Sequence, residues 1–147
     1  MRFTKPNENY DHEHQDVRVE NGVQFGDLPQ FVDFDYLAHV ASVVGSTAAV
    51  LGRSPAPPTN VRAIAATLTY DTELRWNQSP EADVVGYEIV WRDTTEPLWT
   101  HSRFIPGAVT TDYTLTGVNK DDFQVGIRAV DRDGNRSPVA FPVPASS

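Results

Sequence analysis

The chain has 147 residues, of which 39% are hydrophobic and 22% charged, which is the size and composition of one compact globular domain with an appendage, or of one larger domain. Its net charge of −8, with no cluster of Lys and Arg, leaves no electrostatic footprint for a phosphate backbone and excludes nucleic acid as a partner. The absence of cysteine excludes disulfide scaffolds and thiolate metal sites. No apolar run reads as long enough to span a bilayer, so no membrane partner is expected. The N-terminus, "MRFTKPNENYDHEH", has no apolar h-region, so the chain as read carries no secretory signal.

In chain order, the first feature is Asn9–Asp16, "NYDHEHQD", which holds two of the four histidines. In an extended segment His12 and His14 point to one side, because side chains alternate with period two. Neutral imidazoles ligate zinc, and Asp11 or Asp16 could join them or orient a ring. A solvated polar tail suits the same residues, and the pattern alone leaves both readings open. Residues 1–32 are polar and punctuated by Gly22, Gly26 and Pro29, so they are expected to be largely disordered.

The next stretch, "VDFDYLAHVASVVGSTAAVLG", predicts a helix over about 34–51, with Asp33 as N-cap and Gly52 followed by Pro55 as the stop. Phe34, Leu37, Ala41, Val44, Ala48 and Leu51 form one stripe of period 3.6. Tyr36, Val40, Val43 and Val50 widen it over most of the circumference. Such a helix belongs inside a larger core, and residues 1–32 supply little to cover it. His39 is expected to face that missing core. Ser54-Pro-Ala-Pro-Pro58 then reads as a stiff linker, because proline fixes φ and cannot continue a helix.

After the linker the period switches to two. "NVRAIAATL", "TELRWNQ", "GYEIVWRD", "TTDYTLTGV" and "FQVGIRAVD" are short alternating runs, separated by turns at Ser79-Pro80, Pro106-Gly107 and Asp133-Gly134-Asn135. Short strands with no helix between them predict an antiparallel sandwich. Parity places Leu74 and Trp76, then Tyr87, Ile89 and Trp91, then Phe123, Val125, Ile127 and Ala129 on the inside. His101, in "LWTHSRF", falls on an edge strand as a solvated surface residue. Trp99 beside it suits either a binding face or packing on its own sheet. Asp131-Arg-Asp-Gly-Asn135 reads as a hairpin turn, since Asp-Gly tolerates positive φ.

The segments "PPTNVRAIAA…ELRWNQSPEADVVGYEIVWRD…TDYTLTGV…FQVGIRAVDRDGNRSP" resemble a fibronectin type III domain over about residues 57–147. The Pro-Pro entry, Trp76, Gly-Tyr-x-Ile-x-Trp, the Leu115–Gly117 turn and the "AVDRDGNRSP" ending carry the likeness. Phe123 stands where that family usually has a tyrosine whose hydroxyl pins the preceding turn. The fold class expected is therefore all-β: a fibronectin type III, immunoglobulin-like antiparallel β-sandwich with an N-terminal polar segment and one α-helix.

Residues 2–53, "RFTKPNENYDHEHQD…FVDFDYLAHVASVVGSTAAVLG", resemble the C-terminal end of the di-zinc aminopeptidases, the leucyl aminopeptidase-like zinc peptidases. In that family the last zinc-binding histidine opens a motif of His, three residues and Asp, shortly before a closing helix. The resemblance implies that His12 is a zinc ligand, with Asp16 and His14 as possible support. Glu13 and Val17 depart from the usual Thr or Ser and Thr, and His14 has no family role. The family site also implies two zinc ions, a bridging aspartate, further ligands and a glutamate base, nearly all of which would precede Met1.

The organisation expected is thus a zinc-peptidase remnant over 1–53, a linker at 54–58 and a fibronectin type III domain over 59–147. The parent would be a secreted zinc aminopeptidase, extracellular or periplasmic, with an accessory module for positioning or binding. This chain alone is expected to be non-catalytic, without tight cofactor binding. Its partners would be the missing upstream peptidase domain and a protein or polysaccharide for the sandwich. The alternative is a stand-alone fibronectin type III protein-binding module with an N-terminal helical extension.

Overall fold

A computed structural model describes residues 8–65 and 69–145. Residues 1–7 of the expected polar segment, 66–68 of the first expected strand and the last two residues lie outside the described part. The chain divides into two compact units, one ending at Ala49 and the other starting at Val50.

In the first unit, β1 (Arg18–Glu20) and β2 (Val23–Phe25) pair antiparallel, with Arg18 opposite Phe25 and Glu20 opposite Val23. The expectation of a largely disordered 1–32 is corrected for residues 8–32, and the cause is local. Asn21 (φ 50°) and Gly22 (φ 81°) are both left-handed, the two-residue turn whose twist matches paired strands. Gly26, at φ 108°, turns the chain so closely past Val17 that a Cβ would lie 2.7 Å from the Val17 Cα. A short 3₁₀ turn at Pro29–Phe31 follows.

The helix α1 runs Phe34–Arg53. Asp33 caps it: its carboxylate accepts the Tyr36 N–H at 2.9 Å, and its carbonyl accepts the Leu37 N–H at 3.0 Å. Gly52 does not stop the helix. The chain leaves it at Ser54, the residue before Pro55, where proline sterics disfavour the α region. No residue of α1 is buried, the reverse of the core position its pattern suggests. By length and composition α1 could also cross a bilayer, which corrects the reading that no run was long enough.

In the second unit, β3 (Thr59–Ile64), β4 (Thr72–Asn77), β7 (Asp112–Leu115) and β9 (Val143–Ala145) form one sheet in the order β7-β4-β3-β9. The strands β5 (Val84–Asp93), β6 (His101–Pro106) and β8 (Phe123–Asp131) form the other, ordered β6-β5-β8. Every pairing is antiparallel except β3 with β9, which run parallel. After β8 the chain returns along its edge, bonding Ser137 N–H to Ala129 O and Ala140 N–H to Ile127 O, before crossing to β3.

The inward rows read from parity are the core. Leu74, Tyr87, Ile89, Ile127 and Ala129 are fully buried, Trp76 and Val125 nearly so, and Trp91 and Phe123 pack against them. Trp76 meets Tyr87 edge-to-face, with ring centroids 5.3 Å apart. Pro55 and Pro58 are buried, and Ser79 Oγ donates to the Ala56 carbonyl at 2.8 Å. The proline stretch is therefore tied into the sandwich unit.

Candidate metal centre

The histidine segment is a turn, not a strand, so the period-two argument for His12 and His14 does not apply. The His12 N–H donates to Asn9 O at 2.9 Å, and the Asp11 carbonyl accepts the Gly26 N–H at 2.9 Å, which ties the turn to the end of β2. The half-buried His12 ring stacks flat on Phe31 at 3.6 Å. Its Nδ1 lies 3.3 Å from Asn9 Nδ2, leaving Nε2 as the nitrogen free of that contact. His14 sits in the left-handed region (φ 57°), and its backbone N–H donates to Asp27 Oδ1 at 3.3 Å. Asp16 is exposed, and its carbonyl receives an Arg18 Nη1 bond at 3.4 Å.

Among the described residues, no three of His, Asp and Glu gather closely enough to hold a metal ion. A zinc on His12 would not find a full set of ligands among the described residues. Beside the His12 ring lies an open hollow of about 610 Å³, lined by His12, Glu13, Asp27, Phe31, Asp33 and Leu37 among others.

In the sandwich unit, the residues singled out by the sequence have structural tasks. Asp131 accepts the backbone N–H groups of Asp133 and Asn135 and the Asn135 side-chain amide, at 2.8–3.0 Å. These bonds, led by that from the Asn135 side chain, hold its carboxyl below the usual carboxylate range. The stretch is a turn, as its order implied. Trp99 packs on its own sheet: a Cβ on Gly126 of β8 would lie 3.6 Å from its ring, and the Arg92 guanidinium sits 5.5 Å over it. The exposed His101 stacks on Trp91, with ring centroids 5.3 Å apart.

Sequence parity missed Glu88. It lies on the outer side of β5 yet is only 8% exposed, because Arg128 Nε (2.7 Å) and Arg136 Nε (3.0 Å) converge on its Oε2. Burial pushes the Glu88 carboxyl up, but the bonds and charges of the two arginines outweigh it and hold it below the usual value.

With the sandwich and its register established, comparison with known sequences settles its kind. The profile described as "Fibronectin type III domain" matches residues 56–145. The chain belongs to the fibronectin type III family. The solved structure of an Fn3-like protein from Clostridium thermocellum is 23% identical, covers 63% of this chain and 93% of its own, and superposes with a TM-score of 0.46.

Other similar proteins extend over both units. A protein of Pyrenophora teres f. teres named "Probable zinc metalloprotease" is 44% identical over 145 residues, covering 99% of this chain and 29% of its own length. Proteins of the same name from Pyrenophora tritici-repentis and Pyricularia oryzae are 44% and 41% identical, each covering 98% of this chain and 29% of their own length. The chain thus spans less than a third of these curated relatives.

Proposed function

We propose that this chain is the C-terminal portion of a secreted zinc-dependent aminopeptidase: the last part of the catalytic domain followed by an accessory fibronectin type III module. One observation carries the reading. Proteins named "Probable zinc metalloprotease" match both units together over 98–99% of the chain, not the sandwich alone. The spacing His12-x-x-x-Asp16 ahead of α1 supports it, as does the capped approach from Asp33 into the helix.

In the parent, His12 would donate one nitrogen to zinc, with Phe31 fixing its ring plane and Asp16 or His14 near it in the chain. Zinc there would activate a water and polarise the scissile carbonyl. The module, with its own core, would position the enzyme outside the cell or bind a protein or polysaccharide.

The test has two arms. ¹H–¹⁵N spectra of the 147-residue chain should be indifferent to stoichiometric zinc. The protein at the full length of its relatives should hydrolyse a leucine anilide, and His12→Ala should remove both activity and one equivalent of metal. His12 and His14 resonances moving at micromolar zinc in the short chain would overturn the proposal, because the metal site would then be complete here. So would full activity and metal content in the full-length His12→Ala protein.

The alternative of a stand-alone binding module draws on one observation: every residue of the buried core cluster lies between Val61 and Ala129, inside the sandwich. A stop codon immediately upstream of Met1 would favour it.

A further inference from the structure

Resting on the reading of a secreted parent, we propose that Asn77 carries an N-linked glycan and that the other candidate asparagine, Asn135, does not. The acceptor chemistry needs an asparagine, any residue but proline, then serine or threonine. Two stretches meet it, Asn77-Gln-Ser79 and Asn135-Arg-Ser137. A proline follows each serine, so the next residue does not separate them. The fold does.

Asn77 ends β4. The strand buries Thr72, Leu74 and Trp76 and turns Glu73, Arg75 and Asn77 outward. Opposite Asn77 on β3 stands Thr59, which is also exposed. The Asn77 side-chain amide has no hydrogen-bond partner among the described residues. A sugar on its Nδ2 therefore displaces no contact of the sandwich. A glycan is bulky and strongly hydrated, and an outward row at a strand end is where it fits.

Asn135 has the opposite surroundings. Its half-buried Nδ2 donates to Asp131 Oδ2 at 2.8 Å, and Asp131 is only 4% exposed. Its backbone N–H donates to the other oxygen of that carboxylate at 2.8 Å, and its carbonyl accepts the Asp131 N–H at 3.1 Å. A sugar on this amide would crowd the carboxylate around which the turn closes.

The timing of folding points the same way. Ser79 is part of the acceptor, yet in the folded module it is buried, its hydroxyl on the Ala56 carbonyl and its N–H on the Tyr87 hydroxyl. Transfer must precede those bonds, and they form only after β5 and β6 are made, since Tyr87 is itself held by Ala108. Synthesis at about 5–20 residues per second leaves Asn77-Gln-Ser79 open for seconds. The bonds of Asn135 are local, and hairpins close within about 1–10 μs.

In the transfer, Asn77 Nδ2 forms a bond to the anomeric carbon of an oligosaccharide carried on a lipid pyrophosphate. The bond from that carbon to the pyrophosphate oxygen breaks, the pyrophosphate leaves with the electron pair, and the amide nitrogen gives up one proton.

The experiment uses the protein at the full length of its relatives, secreted from a yeast or a filamentous fungus. The folded protein is treated with a peptide:N-glycosidase in heavy-oxygen water, which converts a glycan-bearing asparagine to labelled aspartate, and is then cut with trypsin. The fragment 76–92 should carry the label at position 77 in most molecules, and the fragment holding Asn135 should carry none. Asn77→Gln should remove one glycan's mass from the secreted protein, and Asn135→Gln should remove none. An unlabelled Asn77 in secreted protein overturns the proposal, as does label at Asn135 or a glycan released from Asn77 only after denaturation. Protein kept in the cytosol would sink the secretion reading and the glycan with it, whereas secreted protein without the label sinks the glycan alone. Labelled protein without metal-dependent hydrolysis would count against the zinc-peptidase reading and leave the assignment of Asn77 standing.

Discussion

Removing one oxygen atom from Tyr87 should destabilise the sandwich far more than its size suggests. The ring is fully buried, and the hydroxyl sits between two backbone groups. It accepts the N–H of buried Ser79 at 2.9 Å and donates to the Ala108 carbonyl at 3.0 Å. In Tyr87→Phe both groups lose their partner, the Ser79 N–H in a buried site and the Ala108 carbonyl in a half-buried one. An unsatisfied buried group costs about 1–3 kcal/mol. The Ser79 N–H should sit near the middle of that range and the half-buried Ala108 carbonyl at its lower end, for a total of about 2–3 kcal/mol. In a module of this size that corresponds to a midpoint lower by about 10–20 °C. The transition can be followed by Trp fluorescence, since Trp76 touches the mutated ring, and by guanidinium denaturation. Tyr70→Phe, at a ring 81% exposed, is the control and should change nothing. A Tyr87→Phe protein within about 0.5 kcal/mol of wild type would refute the claim that this hydroxyl pins the turn before β5 to the loop after β6.

Glu88→Gln should cost about 1–3 kcal/mol, because it leaves Arg128 and Arg136 sharing a neutral acceptor in a largely covered site. The Glu88 and Asp131 carboxyls titrate lower in the folded state than in the unfolded chain. Their stabilisation is therefore full above about pH 4.3, near the unfolded glutamate value, and is lost as pH falls through the folded values. Melts of Glu88→Gln against pH should be flatter than wild type in that acid range. Gly126→Ala puts a Cβ 2.3 Å from Val139 Cγ1. It should cost about 1–3 kcal/mol and shift Trp99 emission as the loop lifts from the sheet. Asp33→Ala removes the α1 N-cap and should cost about 1 kcal/mol of helix stability, read as lost helical circular dichroism with sandwich melting unchanged.

The sandwich was legible because each strand is half-buried, so burial wrote period two into Leu74-x-Trp76, Tyr87-x-Ile89-x-Trp91 and Val125-x-Ile127-x-Ala129. Asp33 was legible for a similar reason, since a cap is a local bond between a side chain and an N–H three residues on. The β1–β2 hairpin was equally local, and Asn21-Gly22 between Val19 and Val23 is a strong turn signal. The polar character of the flanking residues concealed it. The pairing of β9 with β3 was not legible. It joins Val143 to Arg62 across most of the unit, and three residues carry too little pattern to announce a partner. Glu88 was missed because what covers it comes from Arg128 and Arg136, far along the chain. At the metal centre the sequence offered one histidine in a spaced motif, and a site whose remaining ligands lie elsewhere cannot be completed from this stretch.

The parallel pairing of β9 with β3 also sets how the module bears load. Both strands run the same way, so the chain enters β3 at one end of the pair and leaves β9 at the other. Tension applied between the two ends of the module pulls the two strands past each other lengthwise. The pairs Arg62–Val143, Ala63–Pro144 and Ile64–Ala145, with the Ala65 N–H to Ala145 O bond at 2.8 Å, then resist together as a shear joint and do not open in succession like a zip. A sandwich pulled from its two ends is therefore loaded along its strands and not across them.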